Sequence, residues 1–165
     1  MANVRRSTHG RITPSFQTLK SASSVATHRA RRASQKQGTR CEMELRSELN
    51  KLNIGFRANA SDLPGNPDFV FDEARLIVFA DGDFWHGRNL TARLARLEKG
   101  HNREYWVKKL LCNVARDRRT DRQLRHAGWS VMRVWEGDIK DDPMRTAGRI
   151  VRKLRKRIEE LQEKR

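Results

Sequence analysis

Two aspartates and a histidine stand where a folded chain would hold them rigidly. Asp68 opens the apolar stretch Asp68-Phe69-Val70-Phe71 directly after Pro67, which restricts the backbone there. Asp81 closes the apolar run Leu76-Ile77-Val78-Phe79-Ala80, and His86 ends Phe84-Trp85-His86. Carboxylates at the ends of buried strands can hold a divalent cation. Such a cation supplies the activated water and the charge neutralisation that phosphodiester cleavage needs. Histidine titrates near neutral pH and suits proton transfer from that water. If the two strands form a hairpin, Asp68 and Asp81 share one edge, where they repel unless a cation sits between them. By spacing alone they fit equally well as ordinary strand-end acids capping loops.

Other side chains could join them. Glu42, on the first helix, could supply a third carboxylate, although solvated helix glutamates such as Glu44 and Glu48 are common. Asn113 and Asp117 lie one turn apart on a helix face shared with Leu110 and Val114, so this polar pair needs a partner. Asp117 suits the orientation of an imidazole such as His86, or else a salt bridge within Arg116-Asp117-Arg118-Arg119. The arginines there suit phosphate contacts. Phe84 and Trp85 are costly on a polar loop unless they pack. The residues alone favour core over stacking on, or wedging between, nucleic-acid bases.

The elements that must position these groups follow from periodicity and turn chemistry. Thr39 or Cys41 caps a helix running to about Leu52, with Leu45, Leu49 and Leu52 on one face. Gly55 breaks it, Phe56 to Asn59 form a short strand, and Leu63-Pro64-Gly65-Asn66-Pro67 is a turn. Two strands then flank a hairpin at Asp72-Glu73-Ala74-Arg75. A helical piece is expected at Leu90–Leu97 and a long helix at Arg103–His126, with Trp106, Leu110 and Val114 inward. Gly128 stops that helix, Trp129 to Trp135 read as a strand, and a final helix starts at Pro143. Its stripe of Ile150, Val151, Leu154, Ile158 and Leu161 is suited to docking on the sheet. Mixed strands and helices in this order make an α/β layer fold.

Composition narrows the partner. The 165 residues suit one domain, 36% are hydrophobic, and the formal net charge is +16. A chain this basic points to a polyanion, nucleic acid first, because Lys and Arg gain affinity by displacing phosphate counterions. A basic surface kept for solubility is the plain alternative. Residues 1–41 contain nine Lys or Arg and no acid. They read as a basic arm over 1–38, preceding a folded domain over 39–165, that tracks phosphates. A transit peptide has a similar composition. Cys41 and Cys112 form no CxxC pair and fit a reducing cytoplasm. Neither a membrane span nor a secretory h-region is expected.

Taken together, several motifs resemble one family. They are Leu63-Pro64-Gly65-Asn66-Pro67-Asp68-Phe69-Val70, Val78-Phe79-Ala80-Asp81-Gly82-Asp83-Phe84-Trp85-His86, Tyr105-Trp106, Asn113 through Arg119, Gly128-Trp129-Ser130-Val131 and Val134-Trp135-Glu136. In this order, over about residues 39 to 140, they resemble the very-short-patch repair (Vsr) endonucleases. The resemblance implies a restriction-endonuclease-like fold of the PD-(D/E)xK type, with a mixed central sheet flanked by helices. It also implies Mg²⁺, one or two ions, and nicking of double-stranded DNA beside a T:G mismatch to leave a 5′-phosphate. By motif position Asp68 resembles the central metal-binding aspartate, His86 the histidine that acts on the water, and Asp117 its acidic helper. Glu42 matches a helix glutamate at the right distance before Phe56-Arg57, which implies a role either in completing the metal site or in positioning a water. Phe84 and Trp85 resemble aromatics that wedge into the duplex, which moves them from core to DNA contact. Arg88, Asn113, Arg116, Arg118, Arg119 and the arm residues Arg31 and Arg32 are assigned to DNA. The family setting is a bacterial cytoplasm, on the nucleoid. A monomer is expected, with mismatch-repair proteins as candidate partners.

The sequence also departs from the family's best-studied type. Asp81 stands where that type has histidine, which makes Asp81 a direct metal ligand by the wider PD-(D/E)xK pattern. Asp83, Gly87-Arg88-Asn89 and Gly137 replace the ligands of a structural zinc, so no zinc is expected. Asp83 also holds the place of the superfamily's motif lysine. Ala30-Arg31-Arg32 replace a further apolar wedge. These departures keep open a nuclease of the same fold acting on other damaged, branched or foreign DNA. A basic DNA-binding protein without activity is the reading from another class.

Overall fold

Thr39 starts the first helix, α1 (Arg40–Lys51), with its hydroxyl accepting from the Glu42 amide. Glu42 accepts from Gly38 N at 2.7 Å and from Thr39 Oγ1 at 2.9 Å, so the helix N-terminus is closed by a variant of the capping box in which the glutamate takes the amide one residue before the cap. Leu45 and Leu49 are fully buried on the inner face of α1. The computed structural model describes residues 38–163. The arm expected over 1–38, including Arg31 and Arg32, therefore lies outside the described residues except for Gly38.

Four strands make one sheet in chain order: β1 (Arg57–Ala58), β2 (Phe69–Phe71), β3 (Leu76–Asp81) and β4 (Ser130–Trp135). The β2–β3 pair is antiparallel, joined by the expected turn, in which Arg75 N bonds to Asp72 O at 3.0 Å. β4 is parallel to β3, and a parallel pair needs a long crossover. Helices α2 (Leu90–Glu98) and α3 (Arg103–His126) fill it. Gly128, at φ +83°, ends α3 in a Schellman motif, with Gly128 N on Arg125 O and Trp129 N on Leu124 O. After β4 come α4 (Glu136–Asp141) and α5 (Pro143–Gln162). Asp142 caps α5 through Arg145 N at 2.8 Å, with Pro143 in its first turn.

Strand alternation gives the sheet two apolar faces. Phe69, Phe71, Leu76, Val78 and Val134 pack with Leu45, Leu49, Ile139 and Ile150 from α1, α4 and α5. Val70, Ile77 and Phe79 pack on the other face with Leu124 of α3, beside Trp129 and Val131. The expected docking stripe of α5 is seen: Ile150 and Val151 are buried, and Leu154 and Ile158 pack against the same cluster.

The chain divides into two compact units, residues 83–118 and residues 38–82 with 119–163. The sheet, α1, α4 and α5 belong to the second. α2 and the first part of α3 belong to the first. Three sequence expectations need correction. Leu52 does not join Leu45 and Leu49 on the buried face, because it caps the end of α1 and is 48% exposed. α4 was not foreseen, because Ile139 is the one large apolar side chain in Glu136–Asp141 and gives no period. On α3, Leu110 is buried as expected, but Tyr105 is buried in place of Trp106, which is half-buried along with Val114. No helix among the described residues is long and apolar enough to cross a membrane.

Candidate active site

In the sheet-bearing unit, Asp68 sits at the start of β2 beside the end of β3. Its Oδ2 accepts from Ala80 N at 2.7 Å, so the carboxylate is tied across the hairpin one residue short of Asp81. The expected convergence of the two aspartates at one edge is therefore present. Their surroundings differ. Asp68 is half-buried, whereas Asp81 is only 3% exposed.

Asp81 has a partner that lies far along the chain. Both of its oxygens accept from Arg133 Nη1, at 2.9 and 2.7 Å. Arg133 also reaches Asp121 Oδ1 through Nε at 3.1 Å and Nη2 at 2.8 Å. It stands on β4 opposite Phe79, and its guanidinium lies 4.5 Å from that ring centre. Burial disfavours the Arg133 cation, but the bonds and charges of Asp121 and Asp81 more than offset this and hold its pKa above the usual arginine value. One cation thus serves two carboxylates, and a metal ion at Asp81 would have to compete with it.

Glu42 and Asp68 line one cavity of about 30 Å³, together with Asn59 and Arg46. That is room for about one or two water-sized occupants. The Glu42 carboxylate also caps α1, so its two oxygens serve the helix as well as the cavity. Among the described residues no three His, Cys, Asp or Glu side chains form a cage for a metal. Mg²⁺ does not require one, since it commonly keeps several waters and takes one or two carboxylates plus substrate phosphates. The oxygen donors lining this cavity fit that ion.

In the unit over 83–118, His86 Nδ1 lies 2.8 Å from Asp117 Oδ2, and Asp117 keeps only 14% of its side chain exposed. A carboxylate partner on Nδ1 fixes the orientation of the imidazole ring. Gly87 makes this approach possible. It has φ +79°, and a Cβ there would lie 2.7 Å from Val114 Cγ2, one helical turn before Asp117. Only glycine lets the chain after His86 run this close to α3.

Sequence comparison places these groups in a family. The family model described as DNA mismatch endonuclease Vsr matches residues 24–92. The chain is 38% identical over 102 residues to a type II nicking enzyme, V.NmeDIP, of Neisseria meningitidis serogroup C, which spans 62% of this chain and 68% of that relative. It is 41% identical over 103 residues to the type II nicking enzyme V.XorIIP of Xanthomonas oryzae pv. oryzae, spanning 62% and 74%. With the DNA mismatch endonuclease Vsr of Escherichia coli it shares 40% identity over 98 residues, 59% of this chain and 61% of that protein. The chain belongs to the Vsr family of DNA endonucleases. The mixed sheet with flanking helices is the restriction-endonuclease-like fold of that family.

Around the His86–Asp117 pair, this Vsr-family chain carries a run of aromatic rings. Phe84 meets Trp85 edge-on at 4.6 Å, Trp85 lies 6.0 Å from Trp106, and Trp106 meets Tyr105 at 5.0 Å. Lys109 Nζ stands 5.1 Å from the Trp85 ring and 5.2 Å from Trp106, and Arg93 lies 5.2 Å from Phe84. Phe84 and Trp85 are half-buried, which suits neither a sealed core nor a free loop. Arg88 pairs with Asp83 at 3.2 Å. Asn113 is half-buried on α3, and Arg116, Arg118 and Arg119 are exposed on it. Burial pushes the Cys41 and Cys112 thiols up, away from the thiolate that binds metals. Sequence reasoning missed Arg133 and Asn59. The only signal for Arg133 was a charge in the middle of an apolar strand, and Asn59 gave none beyond a turn-forming residue type.

Proposed function

We propose that this chain is a Mg²⁺-dependent endonuclease that nicks duplex DNA at T:G mismatches, acting in very-short-patch repair. The observation that carries this reading is the His86–Asp117 hydrogen bond of 2.8 Å in a chain of the Vsr family. It is the geometry of a base held by an orienting acid. Asp68, with Glu42 beside it, is the carboxylate to hold one or two Mg²⁺ ions. Bound there, the metal would polarise the scissile phosphate and lower the pKa of a water.

The chain's own residues do the rest. His86 Nε2 takes a proton from the attacking water, while Asp117 keeps the ring turned and stabilises the imidazolium that forms. Asp81, held on Arg133, fixes the end of β3 beside Asp68. It is also the next carboxylate available to the cation if Arg133 yields it. Phe84 and Trp85 stack against bases. Arg88, Asn113, Arg116, Arg118, Arg119 and the basic residues of 1–38, Arg31 and Arg32 among them, hold phosphates. The folded domain of this reading is 39–165, acting as a monomer in a bacterial cytoplasm.

One sequence observation favours a second target. The place of a further apolar wedge reads Ala30-Arg31-Arg32, which suits a nuclease of this fold cutting other damaged, branched or foreign duplexes. The deciding experiment incubates wild type and Asp68→Ala with Mg²⁺ and matched, T:G-mismatched or branched duplexes. Nicking confined to the mismatch and lost in Asp68→Ala is the expected result. Equal cutting of every duplex would remove the mismatch assignment. Cutting undiminished in Asp68→Ala, or unaffected by EDTA, would remove the metal site.

A further inference from the structure

We infer that Asn59 is a positioning residue of the metal site, its Oδ1 accepting a hydrogen bond from the water shell of a divalent cation held at Asp68. The inference rests on the metal-dependent reading above and adds to it a residue outside the carboxylate set.

The sheet register puts the two residues side by side. Ala58 pairs with Phe69 across β1 and β2, so the next position pairs Asn59 with Asp68. The ladder continues there, with Asn59 N donating to Asp68 O at 3.1 Å and Ala60 N to Pro67 O at 3.0 Å. Asn59 lines the same small cavity as Asp68 and Glu42. Its Oδ1 is fully buried and has no hydrogen-bond partner among the described residues. Buried acceptors are nearly always satisfied, and one that is not calls for a water or an ion. Here the acceptor lines a cavity with room for either, next to a carboxylate that attracts cations.

A plainer account covers part of this. Asn59 has φ +51°, and asparagine tolerates the left-handed region better than most residues. That explains the backbone. It does not explain why a side-chain oxygen is buried without a donor beside two carboxylates. The two accounts separate cleanly by substitution. Glycine suits this backbone at least as well and removes the amide. Aspartate tolerates the backbone, keeps an oxygen and adds charge.

The test measures Mn²⁺ uptake by the full chain without DNA, from loss of the free-ion EPR signal, alongside thermal melting in EDTA. Wild type, Asn59→Gly, Asn59→Asp and Asp68→Asn are compared. The expected result is Asn59→Gly melting no lower than wild type yet binding Mn²⁺ about tenfold more weakly, the usual scale for loss of an outer-shell partner. Asn59→Asp binds at least as tightly as wild type. Asn59→Gly binding like wild type, with Asp68→Asn impaired, overturns the role of Asn59 and leaves the metal site standing. Weakened binding in Asn59→Asp also overturns it, since the buried atom would then be the amide's NH₂. Wild type failing to take up Mn²⁺, or Asp68→Asn binding unchanged, overturns the metal reading and this inference with it.

Discussion

His86 Nδ1 and Asp117 Oδ2 are 2.8 Å apart, held by a glycine that lets the loop touch α3. An imidazole oriented in this way acts as one unit with its acid. Asp117→Asn should keep the fold and lower the nicking rate by about 10²-fold, within the usual range for general-base catalysis. His86→Ala should cost at least as much. The double variant should be no slower than His86→Ala, because the two groups share one function. Single-turnover nicking of a mismatched duplex checks this, and additive losses would show that Asp117 works independently.

The same loop tests the role of Gly87. Gly87→Ala forces a Cβ to within 2.7 Å of Val114 Cγ2 and a side chain into φ +79°. A loss of about 1–3 kcal/mol is expected from the backbone strain. His86 should be displaced with it, so activity should fall further than stability explains. Denaturant titration and nicking rates on one preparation separate the two effects. Gly87→Ala with wild-type activity would show that the close approach is dispensable.

Arg133 is the cation between Asp81 and Asp121. Arg133→Met leaves two largely buried carboxylates without it, and removing one partner of a buried ion pair costs about 3–5 kcal/mol. The loss should appear in urea unfolding with EDTA present. Adding Mg²⁺ should recover part of it in the variant, since Asp81 is then released to bind the ion. No recovery would mean that Asp81 is structural alone.

Trp85 carries the nucleic-acid prediction. Stacking of a base on an aromatic ring is worth about 1–3 kcal/mol. Trp85→Leu should therefore weaken binding to a mismatched duplex by roughly tenfold, while the salt dependence set by phosphate contacts stays the same. Fluorescence anisotropy at several salt concentrations measures both. A changed salt slope with unchanged affinity would assign Trp85 to the fold.

Acid stability should report the exposed Arg57–Asp72 pair at the β1–β2 end. Hydrogen bonds from Arg57 hold the Asp72 carboxyl below its usual range. A depressed folded-state pKa contributes stability above the unfolded value, near pH 4, and that contribution is lost as pH falls through the folded value. Arg57→Gln should therefore melt below wild type at pH 7, and the two curves should converge as the solution is acidified. Curves that stay parallel down to pH 2 would rule the pair out as a contributor.

What the sequence could disclose depended on distance along the chain. The strand-end position of Asp68, the hairpin to Asp81 and the inward face that carries Asp117 are all local patterns, and each was legible. The pairing of His86 with Asp117 could be proposed because Asp117 stood on an apolar face and needed a partner. Arg133 could not be foreseen, since its bond to Asp81 arises from a parallel register that aligns Phe79 with a residue beyond a two-helix crossover. The N-terminal cap made by Glu42 is legible as a Thr-x-x-Glu motif. That motif does not show that the same carboxylate also lines the cavity with Asp68. Tyr105 and Trp106 exchanged roles because adjacent aromatics on a helix leave its phase ambiguous by one residue.

The shared guanidinium of Arg133 also constrains how this lineage can diverge. Asp81, Asp121 and Arg133 form a group of two acids on one base inside the protein. Exchanging Asp81 for a neutral histidine, as in the best-studied relatives, would leave one acid fewer to hold the arginine. Arg133 would then keep Asp121 as its acid, in a one-to-one pair. A histidine graft at position 81 should therefore be tolerated better with Arg133 kept than with Arg133→Met, which also takes the cation from Asp121.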